Sequence, residues 1–457
     1  MGPWKYSIMV DETRHFHWNL FMFLRSFKLL LATLMAVLML VACGGEAAPA
    51  PTGLTVTAGE TSASVSWDMV DGVEYWLFFG PTSVAPTSTS SMHGWIGLPG
   101  GNVLLKVTSP YLVTGLINGT SYSFSVNGRT GGGPGGSGAA AVSVVPRIAG
   151  SNWVAGSAGS MGSHDLRSLA YSINTTSTVL TSTTSSIPTT VTTTVTNYVA
   201  AGAGGAMYSS PDGSTWSAIN YATSSNLNGA SYFGTYKLVG DGGLVLASSD
   251  AITWTPQTSP TTKNLYAIAS NNLNLNVAVG ASGTIITSPD GVTWTAASNT
   301  ATSNDLYAVN YSTYNGGTWV AVGAGGTVVE SADGSTWHSV ASNAMVDLHG
   351  IASMTNTSAA GVVTATFVAV GASGTVLSST DGNTWATQVL PGAATLNAVT
   401  YGNQFVAVGA GGNIFISTDG LAWTPTAAAT SQNLYAVVHG LYLYAAVGAA
   451  GTNLLAK

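Results

Sequence analysis

At 457 residues the chain exceeds one ordinary domain, and with 46% hydrophobic and only 6% charged residues it is neither a disordered nor a wholly membrane-embedded polypeptide. The formal charge of −7 comes without any basic cluster, which excludes a nucleic-acid backbone as partner. The single cysteine excludes an intramolecular disulfide and a Cys-rich metal site.

Chain order begins with an apolar run, LLLATLMAVLMLVA from Leu29 to Ala42, preceded by Arg25 and Lys28. It is shorter than the roughly 20 residues a spanning helix needs and suits the core of an export signal. Leu40-Val41-Ala42-Cys43-Gly44 resembles the lipobox of bacterial lipoproteins. That resemblance implies that the Cys43 thiol receives a diacylglycerol, that the bond before it is cut, and that Cys43 anchors the mature protein to a membrane. Residues 1–21 carry Asp11 and Glu12 ahead of a compact MFLRSFK segment, so translation is expected to start at Met22. Residues 1–42 are then an over-long start plus signal peptide. Gly44 rather than Asp follows the cysteine, which by resemblance to enterobacterial lipoproteins implies the outer membrane.

After a linker at 43–49, residues 50–147 alternate apolar and polar positions between Gly-rich turns, as strands do. Trp67, Tyr75 and the LINGTSY stretch with Leu116 and Tyr122 resemble a fibronectin type III domain. The resemblance implies a β-sandwich in which Trp67 and Tyr75 fill the core and the Tyr122 hydroxyl pins a corner. The stretch GRTGGGPGGSG has Arg129 but no following Gly-Asp, so integrin-type adhesion is not supported. His93 and Trp95 are read as loop packing rather than a ligand pair.

From residue 148 onward the chain repeats itself about every 40 residues, a period that points to a propeller or solenoid. A Gly ends a VAVG-type stretch at Gly202, Gly240, Gly280, Gly323, Gly371, Gly409 and Gly448, and a Leu opens an LYAV-type stretch at Leu166, Leu227, Leu265, Leu306, Leu348, Leu396 and Leu434. Both landmarks give seven copies. A third, the Trp that follows the Asp-Gly-type turn, occurs six times, at Trp216, Trp254, Trp294, Trp337, Trp385 and Trp423, and the missing ring stands at the other end as Trp153, 13 residues before Leu166. The expectation is a seven-bladed β-propeller over 148–457 in which residues 150–157 supply the outer strand of the last blade, leaving no open edge. The fold class is therefore all-β, a fibronectin type III β-sandwich followed by a seven-bladed β-propeller.

Ser-x-Asp-Gly-x-Thr-Trp, as at 288–294, resembles the Asp-box of sialidases and the repeats of the photosystem II stability and assembly factor family, although the usual Asp-box has one more residue between Asp and Gly. Asp-Gly between strands is itself a hairpin signal, so the motif is read as building the blade rather than as chemistry. Ala251 replaces the Gly after Asp250, so that turn is expected to differ or be strained.

A sialidase needs an arginine triad, and Arg167 is the one arginine from 148 to the end. Asp165, Asp305 and Asp347 precede inner strands where Asn226, Asn264 and Asn433 stand in other copies, and are read as backbone caps. Asp241 and Glu330 have no evident partner at glycosidase spacing. His164, His338, His349 and His439 are scattered, without zinc-site spacing. The GAGG turns join strands and offer no Lys, so they are not phosphate loops. No catalytic residue, metal ligand or cofactor is expected. The Thr-rich insertion at 173–197 and those at 312–318 and 353–366 are read as loops open to a partner on the Asp-Gly face, while Lys263 and His338 are assigned to the GAGG face. The function expected is a non-enzymatic, lipid-anchored scaffold of the cell envelope whose propeller binds a protein, or alternatively a polysaccharide; a third reading, an unrecognised hydrolase, would need acids converging at the ring axis.

Overall fold

The structure, a computed structural model, describes residues 48–85, 95, 100–130, 135–157, 161–180, 189–271, 273, 275–358 and 361–456. The apolar run from Leu29 to Ala42, Cys43 and His93 lie outside them. The β-branched and Gly-punctuated sequence forms strands throughout, and no α-helix occurs among the described residues. Chain contacts separate two units, one ending at Pro146 and the other comprising Gly59–Thr61 and the chain from Arg147 onward.

In the first unit a three-stranded sheet (Thr55–Gly59, Ser62–Ser66, Tyr111–Thr114) and a four-stranded sheet (Asn102–Val107, Val73–Pro81, Tyr122–Thr130, Val142–Val144) share one apolar core. Val65 and Val113 enter it from one sheet, and Leu77, Phe124 and Val126 from the other. Trp67 and Tyr75 meet in it with ring centroids 5.7 Å apart. The Ile117 amide donates to the Tyr122 hydroxyl at 3.2 Å, beside buried Leu116. Trp95 is buried, in keeping with packing rather than ligation.

The second unit holds seven antiparallel sheets of four strands each. Blade 1 is Leu166–Leu180, Thr189–Gly202, Met207–Ser210 and Ser217–Ala218, from the inner strand outward. The inner strands of blades 2 to 7 are Leu227–Phe233, Leu265–Ser270, Leu306–Ser312, Leu348–Thr357, Leu396–Tyr401 and Leu434–His439. Each inner strand borders the next, and the seventh borders the first. The apolar cores lie between blades: Val277 and Val279 of blade 3 pack with Trp319 and Trp337 of blade 4, and Val447 and Leu455 of blade 7 pack with Leu166 and Trp216 of blade 1. The unit is a β-propeller.

Trp153–Ala155 pairs with Asn453–Ala456 as the outer strand of blade 7, so the two ends of the propeller sequence meet in one sheet. Gly150 and Trp153 reproduce the second half of the Asp-Gly turn. The Trp153 indole donates to the Gly150 carbonyl at 2.7 Å, as Trp337 does to Gly334 at 2.9 Å and Trp385 to Gly382 at 2.8 Å.

The landmark glycines have a steric origin. Gly323 is extended (φ −169°), and a Cβ there would stand 1.9 Å from the Asp305 carbonyl oxygen. The second strand therefore touches the start of its own inner strand, and the six equivalent glycines face the same backbone carbonyl at 2.0–2.2 Å. Only a residue without a side chain lets the sheet close there.

At the Asp-Gly turns the carboxylate serves the backbone. Asp290 Oδ1 accepts the amides of Val292 (2.8 Å) and Thr293 (2.7 Å) and the Ser288 hydroxyl (2.9 Å). Asp250 makes the same bonds at 2.8, 2.7 and 3.0 Å, with Ala251 held at φ +64°. The variant turn thus keeps its geometry, and the strain sits in the left-handed alanine. Backbone amide donation, from Thr293 and Thr253 foremost, lowers the carboxyls of Asp290 and Asp250 to about 2. Because the folded pKa lies below the ordinary 3.8, these turns stabilise the fold above pH 4 and lose that contribution as pH falls through about 2. Carboxyl ¹³C titration should show both groups still ionised at pH 3; midpoints near 4 would refute the bonding.

Two expectations about the other loops are corrected. Most of 173–197 and of 353–366 extends the first hairpins of blades 1 and 5 as paired strand. Those segments retain strand-forming Thr and Val, and backbone pairing satisfies them better than an open loop would. His338 stands opposite Glu330, next to Ser331 of an Asp-Gly turn, and so not on the GAGG face.

Candidate functional site

In every blade the pairing between the first two strands slips by one residue just after the opening Leu: Leu227 faces Gly240, while Gly229 faces Val239. The residue passed over is Arg167, Asn228, Tyr266, Tyr307, His349, Asn397 or Tyr435 in blades 1 to 7. A bulge frees a side chain from the pleat and re-aims it. Here all seven line one cavity of about 200 Å³ at the ring axis. The next residue in each strand is Ser, Gly or Ala, because inner strands nearly touch: a Cβ on Gly350 would stand 2.9 Å from the Ala398 Cα.

The rim is held by amides and acids. Asn228 Nδ2 donates to the Leu265 carbonyl of the next blade (3.1 Å) and to Asp241 Oδ1 (2.9 Å), and Asn397 Nδ2 donates to the Leu434 carbonyl (2.8 Å). The Arg167 guanidinium donates to Asn228 Oδ1 at 3.1 Å. The residues read as caps do more than cap their own strand. Oδ1 of Asn226, Asn264, Asp305, Asp347 and Asn433 accepts a backbone amide from the GAGG-type turn of the preceding blade, at 2.7–3.0 Å. Asp165 does the same for Ala450 of blade 7 at 3.1 Å, across the ring closure. Thr395 holds this position in blade 6.

Three rings form an arc on blades 3 to 5. Tyr266 and Tyr307 have centroids 5.6 Å apart, and Tyr307 and His349 5.5 Å. Burial raises both tyrosine hydroxyls, with nearby Asp305 and Asp347 adding to the effect. Burial lowers His349 below its ordinary 6.5 against the opposing pull of Asp347, so the imidazole is neutral at pH 7.

Of the polar residues singled out in the sequence, Arg167 and His349 reach the mouth, and Asp241, Asp305 and Asp347 stand beside it. Glu330 lies on the third strand of blade 4, where burial raises its carboxyl and Asn383 of blade 5 is its foremost opposing partner. His164 is exposed, and His439 packs on Tyr444 within blade 7. Among the described residues no three His, Cys, Asp or Glu side chains converge as a metal site would require. Sequence reasoning does not single out Asn228, Tyr266, Tyr307, Asn397 or Tyr435; their one signal is the position after the opening Leu.

No family model and no curated protein matches this sequence. Among solved structures, YCF48 bound to D1 peptide is similar at 14% identity over 66% of this chain and 95% of that chain, with TM-score 0.49. The WD40 beta propeller domain of Doa1 is similar at 9% identity over 67% of this chain and 97% of that chain, with TM-score 0.49.

Proposed function

We propose that this chain is a non-enzymatic binding protein of the bacterial cell envelope, tethered by lipid on Cys43, spaced by a fibronectin type III domain, and binding a partner protein at the axial mouth of its propeller. The observation that carries the binding role is the set of seven bulged side chains. A rigid ring presents seven positions of equivalent geometry and fills them with different polar and aromatic groups at one cavity. Core positions of the same blades stay nearly uniform, with Val279, Val322, Val370 and Val408 all fully buried. Leu116 and the Tyr122 corner support the sandwich assignment. The lipobox supports the anchor and the envelope location.

The arc of Tyr266, Tyr307 and His349 favours a second reading, a polysaccharide stacked on the rings. The test is cross-linking in intact cells with the full lipidated protein beside its Tyr307→Leu variant. One envelope protein recovered in stoichiometric amount, and reduced at least about tenfold by the variant, is the expected result. Polysaccharide lost with the same variant would replace the partner. Capture unchanged by Tyr307→Leu would remove the mouth from the binding role.

A further inference from the structure

The mouth is chemically uneven around its circumference. Its one cation, Arg167, sits on blade 1 and is engaged by Asn228. Blades 3 to 5 instead alternate ring and carboxylate. Asp305 acts on both Tyr266 and Tyr307, and Asp347 on Tyr307 and His349. Each carboxylate is fixed by one oxygen: Asp305 Oδ1 accepts the Ser282 amide at 2.7 Å, and Asp347 Oδ1 accepts the Gly325 amide at 2.8 Å. The Oδ2 atoms have no protein donor among the described residues. Blades 2, 3 and 7 make the same inter-blade bond with neutral Asn226, Asn264 and Asn433, so the bond does not require a negative charge. Of the other rim carboxylates, Asp165 lies on blade 1 and both oxygens of Asp241 are taken up by Asn226 and Asn228, whereas Asp305 and Asp347 stand beside the rings with one oxygen each to spare. Neutral His349 places no positive charge in the arc.

We infer that this arc seats an alkylammonium group, held over the faces of Tyr266 and Tyr307 and balanced by Asp305 and Asp347. Aromatic faces and carboxylates both attract a cation, and their combination distinguishes an ammonium group from a neutral sugar. The group could come from a lysine side chain or amino terminus of a protein, or from a free quaternary amine. The inference rests on the reading of the mouth as the binding surface.

The full chain carrying fluorotyrosine is titrated with choline, with its neutral carbon isostere 3,3-dimethylbutanol, and with Nα-acetyl-lysine methylamide, reading tyrosine ¹⁹F shifts. The protein is compared with Tyr307→Leu and with the double variant Asp305→Asn, Asp347→Asn, which retains the inter-blade bonds in the form other blades use. At least one ammonium probe should bind, the isostere should not, and each variant should weaken binding about tenfold. A response to choline alone assigns the source to a free amine, and a response to the lysine probe assigns it to a protein. Equal binding of the isostere, binding unchanged in the Asn variant, or no response to either ammonium probe overturns the inference. If cellular capture is lost with Tyr307→Leu yet survives the Asn variant, the mouth stands as the binding surface and the ammonium assignment falls. If the ammonium probes behave as expected while capture ignores Tyr307→Leu, the ammonium seat stands and the envelope partner docks elsewhere.

Discussion

Deleting residues 148–157 should lower the melting temperature of the propeller by about 10 °C or more, and Trp153→Ala alone should cost about 3–5 kcal/mol. Trp153 is 6% exposed and packs in the core between blades 6 and 7, against Val406, Val408, Leu434 and Tyr444. Its strand pairs Ala155 with Leu454, Val154 with Leu455 and Trp153 with Ala456. Just before it, the Ala149 carbonyl accepts from Gln404 Nε2 of blade 6 at 2.7 Å. Removing the segment would therefore expose a sheet edge and open an inter-blade core together, at the one place where chain connectivity does not hold neighbouring strands of a blade. Trp216→Ala, in a blade whose outer strand is continuous with the rest, serves as the packing control. A deletion variant that melts within about 2 °C of the parent would show that the ring does not depend on this strand.

Much of the propeller was legible because its landmarks are backbone constraints repeated under one geometry. Gly323 and its equivalents must lack a side chain where two strands touch, the opening Leu residues are fully buried between blades, and the Asp of each turn gathers amides that are fixed in space. Such constraints admit one or two residue types, so they recur visibly. The mouth was not legible for the opposite reason. Its seven residues are freed by the bulge from the packing that makes the other positions alike, and Arg167, Tyr307 and Asn397 share no chemistry to detect. The Asn and Asp residues before each inner strand were visible as short polar groups. Their bond to the preceding blade was not, because nothing in local sequence reports which turn lies across the interface. The long hairpins of blades 1 and 5 look like loops in the sequence because Thr-rich insertions break the repeat length, although Thr is itself a strand former.

One departure from the repeat carries a second large prediction: Lys237→Met should stabilise the propeller at pH 7, by up to about 3 kcal/mol. Three residues before the landmark Gly, the other blades carry Val199, Val277, Val320, Val368, Val406 and Ala445, all fully buried. Blade 2 carries Lys237 there, only 3% exposed. Its Nζ donates to Thr235 Oγ1 at 2.8 Å, and no carboxylate lies within ion-pair distance among the described residues. Gly291 of the next blade's Asp-Gly turn covers the side chain so closely that a Cβ there would stand 2.4 Å from Lys237 Cε. Burial without a counter-charge lowers the amine from 10.5 to about 8. Between those values the unfolded chain binds more protons than the folded one, so stability rises with pH from about 8 toward 10.5; the charged amine's penalty is fully present below 8. A shift of this size corresponds to about 3 kcal/mol, and Met keeps the length of the stem while removing the charge. Tyr171, raised to about 12 by burial, favours the folded state less as its unfolded counterpart ionises above 10, so the comparison belongs between pH 7 and 10. Denaturant unfolding of both proteins across that range should show a rising slope in the parent that is absent in Lys237→Met. Equal slopes, or a variant less stable at pH 7, would mean that the amine is solvated or paired in solution and that blade 2 tolerates it without penalty.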